Sequence, residues 1–217
     1  MSLARPALAL FVTLILGAQE GAPLKLPPAA DGGQTLGAAL AGRRTARALA
    51  GPGLTLKEAS QLLWAAQGEN RPGRRTVPSA RAKYPLDLYL LTEGGEGLGA
   101  GSYLYQSAGH LLKKQGEGTP RSVLGAIHGM QPWIAAAPAV FVAAGMPARI
   151  DPSGKGQAVN WTYYEAGAAA QCLLLQAAAL GLGAGTAGGV DMEALGQALR
   201  LPPGEQALIL LPVGREK

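Results

Sequence analysis

An apolar stretch near the C-terminus, residues 165–191, constrains the fold of this chain more than any other part of it. The stretch reads EAGAAAQCLLLQAAALGLGAGTAGGVD, and residues 166–180 contain neither charge nor proline. Alanine and leucine favour helix, and apolar residues on all sides of a helix indicate burial on most faces. About fifteen such residues, interrupted by two glutamines, fall short of the roughly twenty of a membrane span. The stretch therefore predicts a buried central helix over 166–180, with small residues that let another backbone approach.

The end of this stretch carries two boundary signals. Gly181 is placed to stop the central helix, because glycine is common just past a helix end. Asp191 is a good N-cap residue, and it predicts a further helix over 192–199.

The sequence before the central helix mixes helical and extended patterns. Thr55 and Glu58 predict a capping box ahead of an amphipathic helix, and Pro120 is placed to open another. A helical pattern also covers 35–50. The remaining predictions are a loop at 145–162 and strands at 85–92, 102–106, 110–114, 139–144 and 207–213. Helices and strands without regular alternation indicate an α+β fold with helices packed on a central sheet.

The scarcity of reactive side chains argues against several functions. Cys172 is the single cysteine, so the chain can form neither an internal disulfide nor a cysteine-based metal site. His110 and His128 have no acidic or cysteine cluster beside them in the sequence, so no metal site is predicted. Ser79 lacks the GxSxG context of a hydrolase nucleophile. The glycines of GLGAG follow a helix, whereas a dinucleotide-binding loop follows a strand.

The first 34 residues differ in character from the rest. An apolar run over residues 7–18 follows a single arginine, a pattern typical of a secretory signal peptide. We assign residues 1–22 to a signal peptide, 23–34 to a linker and 35–217 to one domain. A cleaved signal implies export to the periplasm or the exterior. The alternatives are an uncleaved membrane anchor and an N-terminal helix of a cytoplasmic protein.

Three arginines in the sequence RRTAR are the strongest candidates for a binding function. If 35–50 is a helix, Arg43, Arg44 and Arg47 fall within about one turn, with Thr45 between them. Like charges at this spacing repel unless an anion lies between them, and guanidinium groups match phosphate oxygens. A solvated surface is the alternative. Nucleic acid is not a predicted partner despite the pI of 9.5, because aromatic residues that could stack on bases make up only 5% of the chain.

The order of several segments resembles the nitroreductase superfamily of FMN-dependent enzymes, closest to its thiazole/oxazole-forming peptide dehydrogenases. The matching segments are RRTAR (43–47), LTLKEASQLLWAAQG (54–68), TVPSA (76–80), YPLDLYLL (84–91), GSYLY (101–105), EAGAAAQCLLLQAAALGLGAG (165–185), GGVD (188–191) and LPVG (211–214). The resemblance implies an α+β fold with a central mixed or antiparallel sheet. It also implies a homodimer with the long apolar helix at its interface, where FMN binds.

The same resemblance assigns residues to the flavin. The segment on the FMN phosphate, ribityl chain and pyrimidine edge corresponds to Arg43, Arg44, Thr45 and Arg47. The loop that the second subunit lays against the same flavin corresponds to Pro78, Ser79 and Ala80. A close approach of the backbone to the ring corresponds to Gly188 and Gly189, and a C-terminal basic residue on the phosphate corresponds, more loosely, to Arg215.

Three departures from the family pattern bear on activity. Arg81 replaces the glycine of a Pro-Ser-Ala-Gly loop, Gly188 replaces a common glutamate, and the Leu-Lys-Tyr triplet linked to azoline oxidation is absent. We therefore expect an oxidoreductase that passes hydride from NAD(P)H through FMN to a small electron acceptor. The alternatives are a peptide azoline dehydrogenase and a non-catalytic flavin-binding protein. Because the flavin carries the difficult chemistry, no catalytic side chain is assigned.

Overall fold

A computed structural model describes residues 22–30 and 32–216. Its helices are α1 (Leu36–Gly42), α2 (Leu56–Gln67), α3 (Pro120–Leu124), α4 (Pro132–Ala135), α5 (Gln157–Ala179) and α6 (Met192–Ala198). Its strands are β1 (Leu24–Lys25), β2 (Leu49–Ala50), β3 (Glu69–Arg71), β4 (Arg74–Arg75), β5 (Leu86–Thr92), β6 (Gly101–Gln106), β7 (Leu111–Gly116), β8 (Ala139–Gly145), β9 (Gly183–Ala184) and β10 (Gln206–Glu216).

One large antiparallel sheet organises these elements. Its strands lie in the order β1-β7-β6-β5-β8-β10-β2, and β9 pairs with β10 beside this path. β3 and β4 form a separate small hairpin. The predicted α+β fold with a central sheet flanked by helices is confirmed, as is the hairpin of β6 and β7.

The central strands are buried on both faces because helices cover each side of the sheet. Successive side chains of a strand point to opposite faces. Leu88 and Leu90 of β5 join a core shared with α2 and α5, whereas Leu91 joins a second core shared with α3, α4 and α6. Phe141 on β8 is fully buried in the first core. Two-sided burial explains why these strands read as unbroken apolar runs.

The central helix α5 is longer than its apolar stretch predicts. It begins at Gln157, so the predicted loop over 145–162 is wrong in its last part. The first turns contain polar and aromatic residues that hide the helical pattern, but Ala158, Thr162 and Glu165 are buried at helical spacing. The end was predicted correctly: α5 stops at Ala179, and Gly181 has a φ of +71°.

The helical prediction over 35–50 is correct only as far as Gly42. Beyond α1 the chain is extended, because its backbone pairs with β9. The amide of Ala46 donates to the carbonyl of Ala184 at 2.9 Å, and Thr45 forms a bridge with the same residue. The arginines of RRTAR therefore do not share one helical turn.

Other boundary signals acted as predicted. Thr55 and Glu58 form both hydrogen bonds of a capping box on α2. Thr119 and Pro120 open α3, and the Asp191 carboxylate accepts the amide of Ala194 at the start of α6.

The segment over 23–34 packs against the domain. Leu24 and Lys25 pair with β7, and Leu26 is 2% exposed. The linker interpretation does not account for these contacts, since it rested on proline and glycine content alone. Apart from its last residue, the predicted signal peptide lies outside the described residues. Across the described ranges, no helix has the length and apolarity needed to cross a membrane.

A buried acidic cluster lies where β10 begins. Glu205 is 7% exposed and accepts a hydrogen bond from the Tyr89 hydroxyl at 3.0 Å. Beside it, the Arg149 guanidinium donates a hydrogen bond to the Asp87 carboxylate at 3.0 Å. Burial, and then the charge of Asp87, raise the pKa of Glu205 to about 7. The folded protein therefore holds a proton on Glu205 that the unfolded chain loses near its ordinary value of 4.5.

We expect this proton to make the fold less stable as the pH rises from about 4.5 through about 7, because the folded state binds it more tightly than the unfolded chain. Glu205→Gln keeps an acceptor for Tyr89 but cannot ionise, so it should remove this slope, about 1–3 kcal/mol over the window. Urea denaturation at a series of pH values measures it. The exposed substitution Glu193→Gln is the control, and an unchanged slope in Glu205→Gln would contradict the assignment.

Candidate functional site

A groove of about 530 Å³ runs beside the outer face of α5. Gly167, Ala170, Gln171 and Leu174 of α5 form one wall. Arg43 and Thr45 of the extended segment after α1 line it as well, together with the residues around Gly188. Its volume lies within the roughly 300–1,000 Å³ of small-molecule sites. Three of the predicted flavin contacts, Arg43, Thr45 and Gly188, thus line one concave surface.

The three arginines of RRTAR differ in their partners. The Arg44 side chain donates to both carboxylate oxygens of Glu216, at 3.1 and 2.5 Å. The Arg47 guanidinium lies 5.8 Å from the centroid of the Trp133 ring. Arg43 has no ion pair within the described part of the chain. Arg43 is therefore the arginine whose charge is available to an anion in the groove.

Arg215 lies on β10, and its guanidinium is already paired. It lies 2.8 Å from the Glu58 carboxylate, which belongs to the capping box of α2. Burial alone would raise the pKa of Glu58, but the hydrogen bonds from Thr55 and the Arg215 guanidinium together bring it below its ordinary value. A phosphate contact by Arg215 would have to compete with Glu58.

The glycines near the groove are not required by packing inside this chain. A Cβ atom on Gly188, Gly189 or Gly167 would meet no atom within 4 Å. Gly167 lies in a helix interior, where glycine costs about 0.5–1 kcal/mol relative to alanine. The open space beside these three residues fits a group from outside the chain, such as a planar ring.

The predicted loop of Pro78, Ser79 and Ala80 contacts a different part of α5. The Ser79 hydroxyl accepts the amide of Tyr84 at 2.8 Å, which closes the loop on itself. The Arg81 guanidinium lies 5.5 Å from the centroid of the Trp161 ring, in the first turns of α5. The loop and the groove thus lie against separate stretches of one helix.

The backbone of this loop is left-handed at position 81 and again further along. Arg81, Ala82 and Tyr84 have φ values of +54°, +53° and +47°. In this left-handed region a residue other than glycine costs roughly 1–2 kcal/mol. Three such residues so close together need support from the surrounding structure.

Beneath the loop lies a buried carboxyl group that the sequence alone did not mark as part of a site. Glu165 of α5 is 1% exposed and lies beneath the loop, near Ser79, Gln67 and Arg75. Burial raises the pKa of Glu165, and those three neighbours offset part of the rise. Its sequence signal was a single acid at the head of a long apolar stretch.

The groove wall on α5 was missed for a similar reason. Gly167 and Gln171 interrupt the apolar pattern at a spacing of four, which places them on one side of a helix. The sequence shows that spacing, but it does not show which other segments of the chain face that side of the helix. Within the described ranges, no cluster of three or more histidine, cysteine, aspartate or glutamate side chains could hold a metal ion.

A family profile, a related sequence and a solved structure all relate this chain to nitroreductases. The nitroreductase family profile matches residues 40–215. A candidate nitroreductase of Methanocaldococcus jannaschii is 32% identical over 175 residues, which cover 80% of this chain and 87% of the relative. The structure of a candidate nitroreductase from Ralstonia eutropha JMP134 has a TM-score of 0.80 at 27% identity, over 100% of this chain and 96% of the other.

A more distant match concerns the peptide-dehydrogenase branch. The E. coli microcin synthetase complex has a TM-score of 0.67 at 20% identity, over 76% of this chain and 65% of that one. Identity this low shows a common fold only, so the branch stays a prediction. The family profile and the relative at 32% identity go further. This chain belongs to the nitroreductase family and, as the resemblance predicted, is an oxidoreductase.

Proposed function

We propose that the protein is an FMN-dependent oxidoreductase that passes hydride from NAD(P)H through the flavin to a small electron acceptor. One observation carries the cofactor assignment: the Arg43 guanidinium, which forms no ion pair with any residue that the structure describes, lines a groove whose glycines leave open space beside them. Bound FMN would supply the hydride chemistry, which the side chains here cannot. The choice of NAD(P)H as donor rests on the family resemblance.

The residues of the groove would divide the tasks of binding. Arg43 would hold the phosphate, because a guanidinium matches its oxygens in geometry and charge. Thr45 offers a hydroxyl beside it. Gly188 and Gly189 would let the backbone approach the flavin ring without a side chain between them. Arg44 and Arg215 would add little to the local positive potential, because each is paired with a carboxylate, whereas Arg47, which contacts the neutral Trp133 ring, would add to it.

We further propose that the site is completed by a second copy of the chain. α5 exposes Tyr163, Tyr164 and Gly167 in its first half, and α1, which packs against α5, exposes Leu36 and Leu40. A second copy could cover these side chains. A homodimer through α5 and α1 would bring the loop of Pro78, Ser79 and Ala80 of one copy to the groove of the other.

The peptide dehydrogenase alternative gains no support from the loop. Arg81 places a charged side chain beside Pro78, Ser79 and Ala80, where the family pattern has none. A flavin-binding protein without turnover is the remaining alternative, and anaerobic addition of NAD(P)H distinguishes it. Bleaching of the flavin absorption indicates an enzyme, whereas an unchanged spectrum with every donor indicates binding alone.

The first test of this proposal is the purified protein and its variant Arg43→Ala. The protein should be yellow, and the flavin it releases should be FMN. A contact between a charged side chain and phosphate contributes about 1.5–3 kcal/mol, so Arg43→Ala should weaken FMN binding roughly tenfold to a hundredfold. Fluorescence titration of FMN measures the affinity.

A matched control for this experiment is Arg74→Ala, since Arg74 is an exposed arginine on β4, away from the groove. It should leave the affinity unchanged. A colourless protein that takes up no added FMN would rule out the cofactor, and equal affinities for Arg43→Ala and the parent would place the phosphate elsewhere.

The second test fills the space beside α5. Gly167→Ala adds a methyl group that meets nothing inside the chain, so the fold without flavin should gain about 0.5–1 kcal/mol. FMN affinity should fall, because the methyl group projects into the groove. Gly196→Ala in α6 is the control: it should give a similar gain in stability with no loss of affinity. Unchanged FMN binding in Gly167→Ala would show that the groove is not the flavin site.

A further inference from the structure

Glu165 is a buried acid with no role in the function proposed above. It is 1% exposed, and neither of its carboxylate oxygens has a hydrogen-bond partner of normal geometry in the described structure. A charge so deeply buried is costly unless it is paired and hydrogen-bonded. An acid kept at such a position is therefore a candidate for a specific task.

The neighbours of Glu165 form a closed ring of contacts. Arg75 donates to the Oε1 atom of Gln67 at 2.8 Å. The Nε2 atom of Gln67 is buried without an acceptor, and Gln67 and Ser79 both lie beside Glu165. Ser79 accepts the amide of Tyr84, whose ring lies 4.6 Å from the Arg75 guanidinium. The ring thus joins α2, β4, α5 and the loop over 78–84.

Two polar groups in this ring can donate to Glu165. The Ser79 oxygen accepts from Tyr84, which leaves its own O–H free to donate, and the Gln67 amide has an unused N–H. A small adjustment of either side chain would give the Glu165 carboxyl group a hydrogen bond. A bond from Ser79 would orient the Ser79 hydroxyl, whose oxygen accepts the amide of Tyr84 at the end of the strained part of the loop.

We propose that Glu165 is a positioning residue: its neutral carboxyl group holds the Ser79 hydroxyl and so maintains the left-handed backbone that presents Pro78, Ser79 and Ala80 to a flavin. The loop cannot hold this shape by its own preference, because Arg81, Ala82 and Tyr84 all have positive φ values. The contact of this loop with a flavin rests on the function proposed above. The ordering of the loop by Glu165 is independent of that function.

The proposal predicts a dependence on pH. Burial raises the pKa of Glu165 above its ordinary 4.5, with Arg75 the charged group that faces it. Asp87 and Arg149 act on Arg75 in turn. Opening of the loop would let water reach the carboxyl group, so ionisation of Glu165 should favour the open loop, by about tenfold in equilibrium constant. The loop should therefore be held less firmly as the pH rises past the pKa of Glu165.

Hydrogen exchange of the Tyr84 amide in the full chain without flavin tests the hold directly. Its rate is compared with that of an unstructured peptide at the same pH, and Leu90 in the sheet core reports global unfolding. In the parent protein, protection of Tyr84 should fall about tenfold as Glu165 ionises. In Glu165→Gln the protection should no longer vary with pH, because glutamine offers Ser79 an acceptor but cannot ionise.

Two further variants keep the experiment decisive. Ser79→Ala removes the acceptor of Tyr84, so its protection should be low at every pH, even if Glu165→Gln folds poorly. Glu205→Gln removes a different buried acid and should keep the fall. A Tyr84 protection that does not decrease with pH in the parent, or a decrease that survives in Glu165→Gln, would overturn the proposal.

FMN affinity measured across the same pH series separates this inference from the proposed function. Affinity that follows the Tyr84 profile supports both. A normal Tyr84 profile in a protein that binds no FMN would leave the hold on the loop intact and remove the flavin assignment. If FMN affinity does not vary with pH while Tyr84 protection varies as expected, the loop does not contact the cofactor, and the proposal that Glu165 positions the loop for flavin is overturned.

Discussion

The packing of α5 against the sheet is the interaction on which the rest of this structure depends. Ala169, Leu173 and Ala177 are almost fully buried, and the helix contacts α1, α2, β8 and β10. Small side chains let these neighbours approach closely, which a helix of larger residues would prevent. The same helix then supplies one wall of the groove and the base of the loop over 78–84. A shift in α5 would therefore move both halves of the proposed site together.

The extended backbone that follows α1 determines which partners the three arginines reach. Had the helix continued, Arg43, Arg44 and Arg47 would share one face and repel one another. The extended backbone paired with β9 separates them instead. Arg44 meets Glu216, Arg47 meets Trp133, and Arg43 is left for the groove. A cluster that looks uniform in sequence thus divides into three roles, and Arg43 is the member that lines the groove without an ion pair among the described residues.

Local signals predicted much of this fold, and long-range pairing decided the rest. The Thr55 capping box and the apolar run of β8 act over a few residues, so the sequence alone reveals them. The end of α1 depends on Ala184, which is far away along the chain. Arg43, Thr45 and Gly188 were assigned to one site by resemblance, whereas Gly167 becomes part of its wall only once α5 is oriented.

The loop over 78–84 shows a different limit of sequence reasoning. Nothing in ARAKY indicates left-handed backbone, because none of its residues is glycine. The loop is closed by its own contact between Ser79 and Tyr84, and Arg75 and the buried Glu165 lie against it from other elements.

Mixing two variants tests the central claim, that each flavin site draws on two copies of the chain. Arg43→Glu should disable the groove, and Ala80→Trp should block the loop. In a symmetric dimer with shared sites, a mixed dimer has one site with both defects and one site with neither. Each variant alone should bind little FMN, and the co-expressed pair should regain binding at one of its two sites. A mixture that binds no more FMN than the separate variants would contradict the account.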